Sequence, residues 1–146
     1  MKLSTKSRYG LRALIDLALY SQNGQVALHQ IAARQNLSIK YLEQDFATLR
    51  KAGLVRSIKG AQGGYILARP ADQIRVGDIV RILEGDLSLV DIQDVSGQQT
   101  PIRRFLIATI WQPLSEQIEN HLNALSLADL VDQHQLETGQ EPMYYI

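Results

Sequence analysis

The stretch from Asn36 to Leu67, NLSIKYLEQDFATLRKAGLVRSIKGAQGGYIL, decides how this chain is read. Asn36-Leu37-Ser38 breaks one helical pattern, and Ser38 can cap a new helix running to about Ala52. Its inward-leaning face is expected to carry Tyr41, Leu42, Phe46 and Leu49, and Gly53 is expected to close it. Leu54–Ile58 and Tyr65–Leu67 are short β-prone runs around the glycine-rich tip Lys59-Gly-Ala-Gln-Gly-Gly64, a hairpin signal.

Upstream lie two more helices. The first is capped by Thr5 or Ser4, carries Tyr9, Leu11, Leu14, Ile15, Ala18 and Leu19 at helical spacing, and stops near Ser21–Gly24. The second is short, about Ala27 to Gln35, and buries Leu28, Ile31 and Ala32. Three helices with a tight turn between the second and third, followed by a hairpin, predict a winged helix-turn-helix.

Downstream of Pro70 the pattern predicts a fourth helix over Val76–Leu83, then a polar, aperiodic loop from Glu84 to Thr100. A long helix follows from Pro101 to Leu125, with Ile102, Phe105, Leu106, Ile110, Trp111, Leu114, Ile118 and Leu122 recurring along it. Pro101 suits a first turn. Pro113 sits in the interior, which predicts a kink or two abutting helices. Ser126 and Asp129 have the spacing of a capping box for a last short helix, and the tail after Thr138 is expected to fray, leaving Met143, Tyr144, Tyr145 and Ile146 to dock elsewhere. The fold class is therefore mainly α with a small β-hairpin wing: a winged helix-turn-helix over 1–69, a linking helix and loop over 70–100, and a helical dimerisation arm and tail over 101–146.

Composition narrows the function. Among 146 residues there is no cysteine, which excludes disulfides and thiolate metal sites. No apolar run approaches the roughly 20 residues that span a bilayer, so no membrane partner is expected. Asp16 interrupts the only stretch placed to be a signal peptide, and a cytoplasmic location is the default. The net charge of zero hides a division: residues 1–69 hold eleven Lys/Arg against three acids, and residues 70–146 hold four against twelve. A basic half facing an acidic half is the footprint of a polyanion partner, here double-stranded DNA.

A helix-turn-helix presents the first turns of its second helix to base edges in the major groove. Those positions are Ser38, Lys40, Tyr41, Glu43 and Gln44. Gln44 can bond an adenine edge bidentately, and Glu43 can accept from the cytosine amine. Glu43 repels phosphate, so base selection explains it better than general affinity. The bland alternative is a solvated glutamate or a salt bridge to Lys40. Ser38 would cap the helix end that faces a phosphate, and Tyr41 offers its hydroxyl to the backbone. Lys59 and Gly60 at the wing tip can reach a minor groove or run along phosphates; an ordinary turn with an exposed lysine is the alternative. Lys2, Lys6, Arg8, Arg50, Lys51 and Arg56 are candidate phosphate contacts.

Catalytic readings find little. His29, His121 and His134 have no metal-ligand spacing, and Glu84, Asp86, Asp91 and Asp94 miss the EF-hand pattern. Gly63-Gly64 lacks the Lys-Ser/Thr of a phosphate loop. No enzyme and no cofactor is expected.

Met1–Gly10 (MKLSTKSRYG), Ser38–Gln44 (SIKYLEQ), Leu49–Val55 (LRKAGLV) and Ser57–Tyr65 (SIKGAQGGY) together closely resemble the IscR/NsrR/CymR family of bacterial regulators, with a weaker match at Leu125–Val131. The resemblance implies a homodimer paired through the long helix from Pro101. It implies base reading by Ser38, Tyr41, Glu43 and Gln44, with Lys59 in the minor groove, where the family often has arginine. Many members hold a [2Fe–2S] or [4Fe–4S] cluster on three cysteines before the long helix; here Glu84–Thr100 has neither Cys nor His. The chain therefore resembles a cluster-free branch that answers to a small-molecule effector or a partner protein. The function expected is a repressor acting on a pseudo-palindromic operator, the alternative being an interaction adaptor that no longer binds DNA.

Overall fold

Helix α1 (Thr5–Tyr20) runs through the hydrophobic core, to which it contributes Ala13, Leu14 and Leu17. A computed structural model of the chain describes residues 2–91 and 100–139. The expectations for the 92–99 part of the loop, including Asp94, and for the tail with Met143, Tyr144, Tyr145 and Ile146 lie outside the described residues.

After a 3-10 turn (Ser21–Asn23) come α2 (Leu28–Gln35) and α3 (Ile39–Lys51). The turn between them is made by Asn36, the non-glycine described residue with positive φ (54°). An asparagine tolerates that left-handed conformation better than most residues. Gly53 (φ 81°) ends α3 in a Schellman motif: its N–H donates to the Arg50 carbonyl at 3.0 Å, and the Leu54 N–H donates to the Leu49 carbonyl at 3.0 Å. The chain then enters β1 (Val55–Ile58), which pairs antiparallel with β2 (Gly64–Leu67), placing Val55 opposite Leu67 and Ile58 opposite Gly64. Val26 extends this ladder as an isolated bridge to Tyr65. That close approach needs Gly64, because a Cβ there would run into the Val26 carbonyl. The architecture is mostly helical with a two-stranded wing, as the sequence predicts.

Two inward faces differ from expectation. On α1 the buried positions are Ser7, Gly10, Ala13, Leu14, Asp16 and Leu17, while Leu11, Ile15 and Ala18 are half-buried flanks. On α3 they are Leu42, Asp45, Phe46 and Leu49, and Tyr41 is 56% exposed. Asp45 therefore holds the core-facing position that periodicity assigned to apolar residues alone. Phe46 is fully buried and meets the Tyr65 ring edge-on at 5.0 Å, fixing the wing against α3.

The core crosses position 70. Ile74, Ile79 and Leu83 from the region of α4 (Val76–Glu84), and Leu127 from α7 (Leu127–Glu137), join Leu14, Leu42 and Phe46 in one cluster. The Val76 N–H donates to the Leu125 carbonyl (2.9 Å) and the Leu127 N–H to the Ile74 carbonyl (2.8 Å), stitching α7 to the start of α4. Ser126 and Asp129 form the expected capping box, at 3.0 and 2.9 Å.

Between α4 and α7 runs the long helix: α5 (Pro101–Leu106), a π segment (Ile107–Trp111) and α6 (Gln112–Ala124). Thr100 caps it by accepting from the Arg103 N–H at 3.2 Å, with Pro101 in the first turn. The two abutting helices allowed for at Pro113 do not form. Backbone angles at Leu106, Ile107, Trp111 and Gln112 all stay helical, and the Gln112 N–H reaches back five residues to the Ile107 carbonyl. Widening the turn before Pro113 moves carbonyls away from the ring and accommodates its missing N–H without ending the helix.

Candidate nucleic-acid interface

Burying Leu42, Asp45, Phe46 and Leu49 turns the opposite face of α3 to solvent. Ser38, Lys40, Tyr41, Glu43 and Gln44 are all exposed within its first two turns. Side chains so placed on a protruding helix are free to meet base edges. Glu43 makes no ion pair with Lys40 among the described residues, so the bland salt-bridge explanation for it does not hold. Ser38 occupies the N-cap position in extended conformation, yet its hydroxyl does not cap α3. This corrects the expectation for Ser38. The first-turn N–H groups at Ile39, Lys40 and Tyr41 have no intrahelical acceptor by geometry, which leaves that end open to a phosphate oxygen.

Sequence reasoning missed one residue here. Ile39 is 44% exposed at the start of α3, off the core-facing stripe, and an apolar group there suits the methyl of thymine. No local signal marks it: three residues before Leu42, Ile39 lies by helical period at the edge of the Leu42 face, and only the packing around the start of α3 shows it to be exposed.

The candidate phosphate contacts form separate groups. Arg50 and Lys51 are exposed at the far end of α3, ~16 Å along its axis from Lys40. Lys59 and Gly60 are exposed at the wing tip, where Gly60 has φ 127°. The wing loop is tied to the approach to α2 by Gln25, whose side-chain amide donates to the Gln62 carbonyl at 2.7 Å. Exposed His29 lines the polar cleft between them. Arg56 is exposed on β1. Lys2, Lys6 and Arg8 are exposed around the start of α1.

Two acidic groups brace this basic surface from behind. Asp16, 1% exposed, accepts three bonds from Arg34 (2.7, 2.9 and 3.2 Å) and one from Gln35 (3.0 Å), locking α2 onto α1. The Arg34 guanidinium also lies 3.8 Å from the Tyr20 ring centroid, and its bond to Asp16 raises its pKa. Glu84, at the end of α4, accepts from the Ser4 N–H (3.0 Å), the Ser4 hydroxyl (2.5 Å) and the Ser7 hydroxyl. These serine bonds hold its pKa below the usual carboxylate range. Asp45, 3% exposed, has no hydrogen-bond partner among the described residues. Burial pushes its pKa up to about 6, against a smaller opposing pull from Lys6.

A model of the Rrf2 family, described as iron-dependent transcriptional regulators, matches residues 3–133. The chain belongs to the Rrf2 family. It is 42% identical over 132 residues to the HTH-type transcriptional regulator IscR of Yersinia pseudotuberculosis, covering 90% of this chain and 80% of that one. Among solved structures it resembles CymR, the global cysteine regulator of B. subtilis, with TM-score 0.77, 41% identity and coverage of 90% and 96%. IscR of T. potens gives TM-score 0.75 and 43% identity, covering 99% of this chain and 97% of that one. This Rrf2 protein is thus a winged-helix, DNA-binding transcription regulator and not an enzyme.

The family description names iron. This member has no cysteine anywhere in its 146 residues, and among the described residues no three His, Asp or Glu side chains gather as metal ligands. An iron–sulfur cluster needs soft thiolate donors, so the residues present do not fit one. No helix among the described residues is long and apolar enough to cross a membrane.

Proposed function

We propose that this Rrf2 protein is a cytoplasmic homodimer that represses transcription from a pseudo-palindromic operator without an iron–sulfur cluster. In this reading residues 1–69 bind DNA, 70–100 link, and 101–146 dimerise.

The observation that carries the dimer is the long helix. No residue of Pro101–Ala124 is buried in the single chain, although the stretch carries Ile102, Phe105, Leu106, Ile110, Trp111, Leu114, Ile118 and Leu122. Ile102 is 72% and Phe105 63% exposed. An apolar stripe of this length is rarely left to water, and a second copy of the same helix covers it symmetrically.

Two such protomers would set their α3 helices about one DNA turn apart, ~34–36 Å. Gln44 and Glu43 read bases, Ile39 and Tyr41 pack at the groove wall, and Ser38 and Lys40 meet the flanking phosphate. Lys59 and Gly60 follow the minor groove, while Lys2, Lys6, Arg8, Arg50 and Lys51 track the backbone. The lack of cysteine supports an input other than a cluster, either a small-molecule effector or a partner protein.

Selection of bound sequences from random DNA, followed by titration of Gln44→Ala, tests the reading. The variant is expected to lose about 1–3 kcal/mol on the selected site and almost nothing on random DNA. Equal losses on both would remove Gln44 from base reading.

A further inference from the structure

At the start of the long helix lies a cavity of about 310 Å³. Its walls are apolar: Val90 before the helix, then Ile102, Leu106, Ile107 and Trp111 from successive turns. Among the described residues, only Thr100 and Arg103 bring polar groups to its lining. The Thr100 hydroxyl oxygen is occupied as the helix cap. The Arg103 guanidinium is only partly satisfied. Nη2 donates to the Asp91 carbonyl at 3.3 Å, whereas Nη1 is shielded from solvent with no hydrogen-bond partner among the described residues.

A cationic N–H removed from water without an acceptor is costly, and buried polar groups are ordinarily paired. The acceptor that best answers a guanidinium edge is a carboxylate, which matches its charge and its planar, forked geometry. The rest of the wall selects the remainder of the ligand. Five apolar side chains disfavour a sugar, a phosphate ester or a polyacid, each of which would bring polar groups with nothing to pair them. The volume sits at the low end of the roughly 300–1,000 Å³ typical of small-molecule sites. From this combination we infer that the cavity binds a small monocarboxylic acid with a compact, branched or aromatic body, its carboxylate on the Arg103 guanidinium.

The site is placed to act on DNA binding. Its floor includes the π segment Ile107–Trp111, a helical irregularity often found at functional positions. The same long helix continues into α6, which packs against α4, and α4 ends in Glu84, bonded to the start of α1. A ligand that favours one setting of the long helix would bias the spacing of the two recognition helices. This regulatory half rests on the dimeric-regulator reading above; binding of the acid does not.

Trp111 is the chain's single tryptophan and lines the cavity, so its fluorescence reports on this site. The full-length protein is titrated with phenylacetate and isovalerate, and in parallel with the neutral phenylacetamide and isovaleramide. At least one acid is expected to give a saturable change at micromolar to millimolar concentration, with its amide about tenfold weaker or more. Arg103→Gln should remove that preference, Arg103→Lys should restore part of it, and Arg104→Gln, altering the exposed neighbour, should leave it intact. Circular dichroism confirms that each variant folds. No saturable response to either acid overturns the site. An unchanged acid preference in Arg103→Gln, with a weakened dimer, also overturns it, because Nη1 is then answered by the second copy. Operator affinity with and without the acid separates the two halves. Binding that leaves operator affinity unchanged keeps the site and overturns its regulatory role, whereas failure to bind any selected DNA strikes the regulator reading alone.

Discussion

Helix α3 and the long helix Pro101–Ala124 both display side chains to solvent, but they do so for opposite reasons. On α3 the apolar residues Leu42, Phe46 and Leu49 are fully buried, and what remains outside is chiefly polar or charged. On the long helix nothing is buried, and Ile102, Phe105, Ile110 and Leu114 all lie outside. The first helix is finished by its own chain; its outer face is available for a charged, hydrated ligand. The second is unfinished, and burying each large apolar side chain would contribute about 1.5–3 kcal/mol. On the proposed reading, the contrast separates the surface that meets DNA from the one that meets a second copy of the chain.

The sharpest way to break that contrast is to charge the unfinished helix. Phe105→Glu is expected to yield monomers by sedimentation and to weaken operator binding by about 10²–10⁴-fold, because two half-sites no longer act together. Thermal unfolding of the remaining fold should barely move. A dimer that survives the change would assign this helix face to something else.

A smaller effect probes how α2 and α3 are held. Arg34→Met leaves Asp16 buried without its cation and should cost about 3–5 kcal/mol in urea unfolding. Arg50→Met, on the solvent side of α3, should cost almost nothing.

Next in size is the acid on the inner face of α3. The folded-state pKa of Asp45 is raised to about 6 by burial. Between its unfolded value and about 6 the native state binds the extra proton, so this group favours folding below that window and loses its contribution as pH rises through about 6. Asp45→Asn should therefore exceed the wild type in stability by about 1–3 kcal/mol at neutral pH, the gap closing as pH falls towards 4. Glu84 has the opposite sign: its pKa is lowered, so its contribution is present at neutral pH and lost on acidification. An unchanged gap between pH 7 and 4.5 would show that Asp45 is not the titrating group.

The smallest effect belongs to the phosphate contacts. Lys51→Ala should weaken binding to selected and random DNA alike, and lower the slope of log affinity against log salt by about one. Any sequence dependence in that loss would move Lys51 from backbone to base contact.

Much of this was legible from local signals. Gly53 after Lys51-Ala52, the paired Ser126 and Asp129, and the glycine-rich tip between two β-prone runs each specify a backbone motif through residues a few positions apart. The exposed outer face of α3 was legible too, apart from Tyr41, which periodicity turned inward, and Ile39, which it passed over. A 3.6-residue period leaves the edges of a face uncertain by about one position, and only the neighbours packed on α3 settle which residues those edges bury.

By itself the sequence determined the helix order, the wing, the charge division and the family, because propensity, capping and hydrophobic period act over a few residues. The tertiary structure alone decided that Asp16 meets Arg34, that Glu84 braces Ser4 and Ser7, and that α4 and α7 close the core on α1. It also decided how Pro113 is accommodated inside one helix, and that Arg103 lines an apolar cavity. Those outcomes depend on distances between residues up to 80 positions apart, as for Ser4 and Glu84, and no local pattern encodes such distances.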